Sequence, residues 1–180
     1  MDPTTSSKPK ATFPVPWYSL RYTSTTKPIP YIPLTLKTPL ADQISLTPFA
    51  PHDGPELVSI LSIFDVNKCL GATPHPYTAA HAAWWVSRQL STSPVPPELP
   101  LQVIRLGDPA TGTQIGTATL TRCPAEEGRP AGEYELGYFL SPDYHGKGIM
   151  RAAVLALLSW AKLEMKGTVR TVICRPEERN

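Results

Sequence analysis

Hydrophobic positions recur with a period of two in several short runs and near 3.6 in three longer ones. The run ISLTPF (44–49) alternates at Ile44 and Leu46 and predicts a first strand. Leu57, Ile60, Leu61 and Phe64 form one stripe over 54–64, a helix that Asp53 is placed to cap. Thr78 opens a second helix over 78–90. Three strands follow, LQVIRL (101–106), TQIGTATLTR (113–122) and EYELGYFL (133–140), the last two joined by the polar loop CPAEEGRPAG (123–132). A third helix runs from about Gly148 to Met165. Met150, Val154, Leu157 and Ala161 mark one side of it, Ser159, Lys162 and Lys166 another, and Gly167 ends it. VRTVIC (169–174) is a final strand. Three successive strands and then a helical crossover into another strand predict an α+β fold, a mixed sheet with flanking helices.

Proline divides this pattern. The chain has 22 prolines in 180 residues. Pro3, Pro9, Pro14, Pro16, Pro28, Pro30, Pro33 and Pro39 make residues 1–41 an irregular extended arm, because each fixes φ and removes a backbone donor. Trp17, Tyr18, Tyr22 and Tyr31 are the residues that would pin this arm to a domain spanning 42–180. The segment STSPVPPELP (91–100) reads as a linker.

Charge and cysteine narrow the function classes. Net charge is +2 overall, with five cations against one anion in residues 1–40, so the remainder carries −2. That balance makes no case for nucleic acid or a membrane surface. The helix around 149–161 is interrupted by Arg151 and is too short to span a bilayer. Cys69, Cys123 and Cys174 are odd in number and scattered, which fits a reducing, cytoplasmic compartment. His75 and His81 lack a third ligand, so no metal is expected, and no G-x-S-x-G nucleophile elbow is present.

Candidate chemistry concentrates in one strand–turn–helix unit: YFL, then SPDYHGKG, then IMRAAVLALL. Gly146 and Gly148 let the backbone turn sharply and approach a ligand. The helix behind them opens with unpaired N–H groups and a partial positive charge. Together they make an anion site of pyrophosphate size. A Walker A loop would need glycine where Ser141 stands, and a dinucleotide fingerprint would need one at Arg151.

HGKGIMRAAVLALLSWA (145–161) after ELGYFLSPDY (135–144) resembles motif A of the GNAT superfamily, and in particular the branch that acetylates the N-termini of ribosomal and other proteins. ISLTPFAPHDGPELVSIL (44–61) and PYTAAHAAWWV (76–86) resemble that branch's first strand and first two helices. The resemblance implies acetyl transfer from acetyl-CoA to a primary amine, either a protein N-terminus or a small amine. It implies that the amides of His145, Gly146, Lys147, Gly148, Ile149 and Met150 cradle the pyrophosphate, and that Phe139 and Leu140 pair by backbone with the pantetheine arm. It implies Glu135 as general base and the helix of Trp84 and Trp85 as a wall of the acceptor site. Two departures stand out. Asp143 occupies a position where the family often has Gln or Arg. The family's last helix and closing hairpin, with the Tyr or Ser that protonates the departing thiolate, have no counterpart before Asn180. That second departure leaves the alternative of a non-catalytic protein that binds CoA weakly or serves as an interaction module. It also leaves the outer edge of VRTVIC without a partner strand.

Overall fold

The structure is a computed structural model and describes residues 19–37, 39–40, 42–71, 73–91, 101–124, 131–165 and 167–175. Residues 1–18 of the proline-rich arm, most of the 91–100 linker, residues 125–130 of the polar loop, Lys166 and residues 176–180 lie outside the described residues.

Seven strands form one sheet whose spatial order follows the chain: β1 (Arg21–Tyr22), β2 (Pro30–Pro33), β3 (Ile44–Thr47), β4 (Val103–Leu106), β5 (Thr113–Arg122), β6 (Glu133–Leu140) and β7 (Thr171–Ile173). Neighbours are antiparallel except β6 and β7, which run parallel, so the sheet is mixed as expected. The helices are α1 (Gly54–Leu61), the short α2 (Phe64–Asn67), α3 (Ala79–Ser91) and α4 (Ile149–Glu164). α4 provides the crossover between the parallel strands.

Two apolar layers sandwich the sheet. On one face Ala153, Ala156, Leu157 and Ala161 of α4 pack on Ile44, Leu46, Ile104, Ala118 and Tyr134. On the other, α1 and α3 supply Leu57, Ile60, Leu61, Ala82 and Val86 against Val103 and Phe139. The alternation of side chains along β5 and β6 divides the two layers.

The reading of residues 1–41 as an irregular extended arm is corrected for 21–33. Arg21–Tyr22 and Pro30–Pro33 form a hairpin that adds to β3, with Ile32 opposite Leu46. Pinning comes from Ile32 and Leu34, 0% and 2% exposed, rather than from Tyr22, which is 61% exposed. The prolines are tolerated because β2 lies near the sheet's edge.

Asp53 also departs from its expected role. Its side chain makes no hydrogen bond to the start of α1. Instead its Oδ1 and Oδ2 accept from Arg105 Nη1 and Nη2 at 2.8 and 2.9 Å, and Oδ2 also accepts from the Ala50 N–H at 2.7 Å. Arg105 Nε donates to Thr47 Oγ1 at 3.0 Å. Both charged groups are fully buried, and the two-pronged geometry with these further bonds satisfies them. The pair ties α1 to the middle of the sheet.

Candidate active site

The ends of the β5–β6 ladder determine which backbone groups remain open. Cys123 N–H donates to Glu133 C=O at 3.0 Å, and Ser141 N–H donates to Ile115 C=O at 2.8 Å. The register between them is unbroken, with Thr121 opposite Glu135, Thr119 opposite Gly137 and Thr117 opposite Phe139. Hydrogen-bonded pairs alternate in an antiparallel ladder. The backbone groups of Glu135, Gly137 and Phe139 therefore point to β5. Those of Leu136, Tyr138 and Leu140 point the other way. On that other side, among the described residues, β7 pairs with Glu133–Glu135 and not with Leu136–Leu140.

A cleft of about 480 Å³ opens at the Tyr138–Leu140 end of β6, beside the start of α4. Tyr138, Phe139 and Leu140 form its inner wall, and Gly146, Gly148 and Met150 its far end. Gly146 and Gly148 have φ of 72° and 74°, a region closed to most side chains. A Cβ built at either would meet nothing within 4 Å, so the glycines border open space. The first hydrogen bond of α4 runs from Ala152 N–H to Gly148 C=O at 3.0 Å. The N–H groups of Ile149, Met150 and Arg151 thus precede the helical ladder and aim at the cleft end.

Other expected groups are already engaged. His145 N–H donates to Pro142 C=O at 3.0 Å, and its Nε2 bonds the Leu140 carbonyl at 3.0 Å, which makes Nε2 the donor. His145 clasps the turn to the end of β6. Lys147 Nζ donates to Asp143 C=O and lies 5.6 Å from the Tyr144 ring centroid; its side chain does not line the cleft. Nor does Asp143, so its carboxylate stays clear of the anion site. Ile149 is buried in the core and can contribute its backbone alone. Phe139 offers the cleft its side chain while its backbone belongs to β5.

The sequence reading missed seven residues that line this cleft: Asp65 and Val66 of α2, Cys69 and Leu70 just after it, Tyr138, Tyr144 and Arg151. Arg151 was legible as a cation in the first turn of the helix. α2 has four residues, too few to show a period.

A second cleft of about 560 Å³ lies across β6, between the sheet and α3. It shares Leu70, Tyr138 and Phe139 with the first. Trp84 and Trp85 both line it, their ring centroids 6.2 Å apart; Trp84 is 62% exposed, while Trp85 packs against the core. His81 lines it too. Its Nδ1 accepts from Thr78 N–H at 3.1 Å, so the proton sits on Nε2 and the ring serves as a donor. Burial holds the Tyr77 hydroxyl above its ordinary range. Tyr138 is also raised, first by the neighbouring Cys174 thiol and then by burial. Glu135 lies on the same face of β6 as Gly137 and Phe139 but is not among the lining residues. Among the described residues, no cluster of three or more His, Cys, Asp or Glu could hold a metal ion, and no helix is long and apolar enough to cross a membrane.

The cradle and the open strand edge together fit a diphosphate carried on an amide-rich arm. Gly146 and Gly148 border open space at this cleft, Arg151 lines it, and the backbone N–H and C=O of Tyr138 face away from β5 with no partner strand among the described residues. Comparison with known proteins gives the same family. Against curated protein sequences the chain has no match. Among solved structures it is similar to RimL, a ribosomal L7/L12 alpha-N-protein acetyltransferase, with a TM-score of 0.57 and 13% identity over 87% of this chain and 76% of that one. A GNAT-family acetyltransferase from Bacillus anthracis gives a TM-score of 0.55 and 16% identity over 78% and 71%. The microcin C7 self-immunity acetyltransferase MccE, solved with acetyl-CoA and AMP, gives 0.53 and 15% over 76% and 72%. At these identities the likeness is one of fold. The acetyltransferase (GNAT) domain profile matches residues 43–180, and by that match the chain belongs to the GNAT acetyltransferase family.

Proposed function

We propose that this protein transfers an acetyl group from acetyl-CoA to a primary amine, either a protein N-terminus or a small amine. The observation that carries the proposal is the meeting of the two clefts at Tyr138 and Phe139, one ending in a glycine-lined anion cradle and the other open to an acceptor. The amides of Gly146 to Arg151 bind the diphosphate. The N–H and C=O of Tyr138 and the N–H of Leu140 hold the pantetheine arm as an added strand would be held. Acetyl-CoA supplies an activated thioester carbonyl. An N–H on the open edge polarises that carbonyl where negative charge develops.

Glu135 accepts the proton of the attacking amine through water, since it stands on the acceptor face of β6 but outside the cleft lining. The N–C bond forms as the C–S bond breaks. The departing thiolate takes a proton from the Tyr138 hydroxyl, which Cys174 and burial keep protonated, and solvent then restores that hydroxyl. Three free cysteines suit a reducing cytoplasm for such chemistry.

The position of Glu135 also favours a second reading, in which the protein binds CoA without transferring the acetyl group. Calorimetry with acetyl-CoA and an assay against mixed primary amines separate the two. Transfer above a Gly148→Trp control supports the first reading. Binding without transfer supports the second. Absence of heat at millimolar acetyl-CoA removes both.

A further inference from the structure

We propose that the acceptor amine carries an apolar body of aromatic size and no charge beyond the reacting nitrogen. This inference rests on the transfer reading above and concerns the second cleft alone. At about 560 Å³ the cleft lies within the roughly 300–1,000 Å³ typical of small-molecule sites. Tyr77, Trp84, Trp85 and Phe139 wall it, with Leu57 and Leu61 beneath.

Among the described residues, no side chain lining this cleft is a carboxylate, an ammonium or a guanidinium. Its polar atoms are neutral. His81 presents Nε2–H because Nδ1 is held by the Thr78 amide. Thr119 Oγ1 donates to the Gly137 carbonyl at 3.3 Å. The first cleft contrasts with this, since Arg151 and Asp65 both line it.

An acceptor with a second ammonium, or with a carboxylate, would exchange water for walls that offer no opposite charge. That exchange is strongly unfavourable. Arg88 sharpens the bias at the rim. Its guanidinium lies 5.6 Å from the Trp84 ring centroid, where it takes up a ring face that a cationic acceptor would otherwise use. An apolar body instead exchanges water for aromatic and aliphatic contact. The aromatic walls suit flat rings, which pack edge-on or offset against tryptophan and tyrosine.

The test offers the chain and acetyl-CoA four acceptors in separate reactions: 2-phenylethylamine, tryptamine, spermidine, and an acidic peptide with an N-terminal serine. Product is measured by mass spectrometry, and acetyl-CoA binding is measured in parallel by calorimetry. We expect kcat/KM for the two aromatic amines to exceed that for spermidine and the peptide by at least about tenfold. Trp85→Ala should raise KM for 2-phenylethylamine at least about fivefold and change acetyl-CoA affinity less than about twofold. Trp84→Ala, at an exposed position, serves as the second variant if Trp85→Ala fails to fold. Preference for spermidine or the peptide overturns the acceptor class and leaves acetyl transfer standing. Bound acetyl-CoA with none of the four acetylated overturns both.

Discussion

The two ends of β6 each place one side chain in the core but differ in what their backbones do. Tyr134 at one end and Leu140 at the other are both in the core. At Glu133–Glu135 the strand has a neighbour on each edge, β5 and β7. From Leu136 to Leu140 its partner among the described residues is β5 alone. The two core residues do not distinguish the ends, whereas the hydrogen-bond ladder does. The doubly paired end consolidates the sheet. The singly paired end keeps donors and acceptors available, and both clefts gather there.

The largest effect that can test this division is expected in the closed sheet. Asp53→Ala leaves Arg105 buried without its partner and should lower unfolding free energy by about 3–5 kcal/mol in urea titration. A loss below about 1 kcal/mol would show that the pair contributes little to the closed half. At the open end the expected pattern is reversed. Glu135→Gln should lower kcat by roughly a hundredfold or more while stability stays within about 0.5 kcal/mol. Parallel loss of stability and activity would erase the distinction.

A matched pair of glycines sharpens the comparison further. Gly148 and Gly167 have φ of 74° and 79°, and a Cβ at either meets nothing within 4 Å. Alanine at each should destabilise by roughly 1–2 kcal/mol through backbone strain alone. Only Gly148→Ala should also weaken acetyl-CoA binding, by about tenfold in calorimetry. Equal affinity in the two variants would place the cradle elsewhere.

The smallest effect concerns pH. The Tyr138 hydroxyl is raised above its usual 10.0, first by Cys174 and then by burial. The folded state then holds this proton more tightly than the unfolded chain. The associated stability is complete below about pH 10 and is lost as pH rises through the higher folded value. Cys174→Ala should bring the hydroxyl back towards 10. Difference absorbance titration against Tyr138→Phe measures the change; an unchanged midpoint would remove Cys174 as the cause.

Local patterns carried most of the fold. β5 and β6 follow from β-rich runs of ten and eight residues whose alternation is only approximate, and α4 follows from an apolar stripe between Gly148 and Gly167. The glycine cradle is legible for the same reason, because its parts are adjacent in sequence. What escaped depends on distant partners or short elements. β1 has two residues, and β2 begins and ends in proline, so neither shows a period. Asp53 stands where a cap belongs, but its partner Arg105 is far along the chain. The phase of the β6 edge is set by Ile115 and Ser141, and this is why the backbone groups of Tyr138 face away from β5 while those of Phe139 face it. The clefts' shared residues Leu70, Tyr138 and Phe139 become neighbours only after folding.

The hairpin before residue 43 has a practical consequence for anyone trimming this protein. The family match begins at residue 43, yet Ile32 and Leu34 fill the same apolar layer as Ile44 and Leu46. Cutting at the match boundary would unroof that layer and bare the hydrogen-bonding rim of β3 over its whole length. A shortened version should therefore clump during purification, where a cut upstream of Arg21 should not.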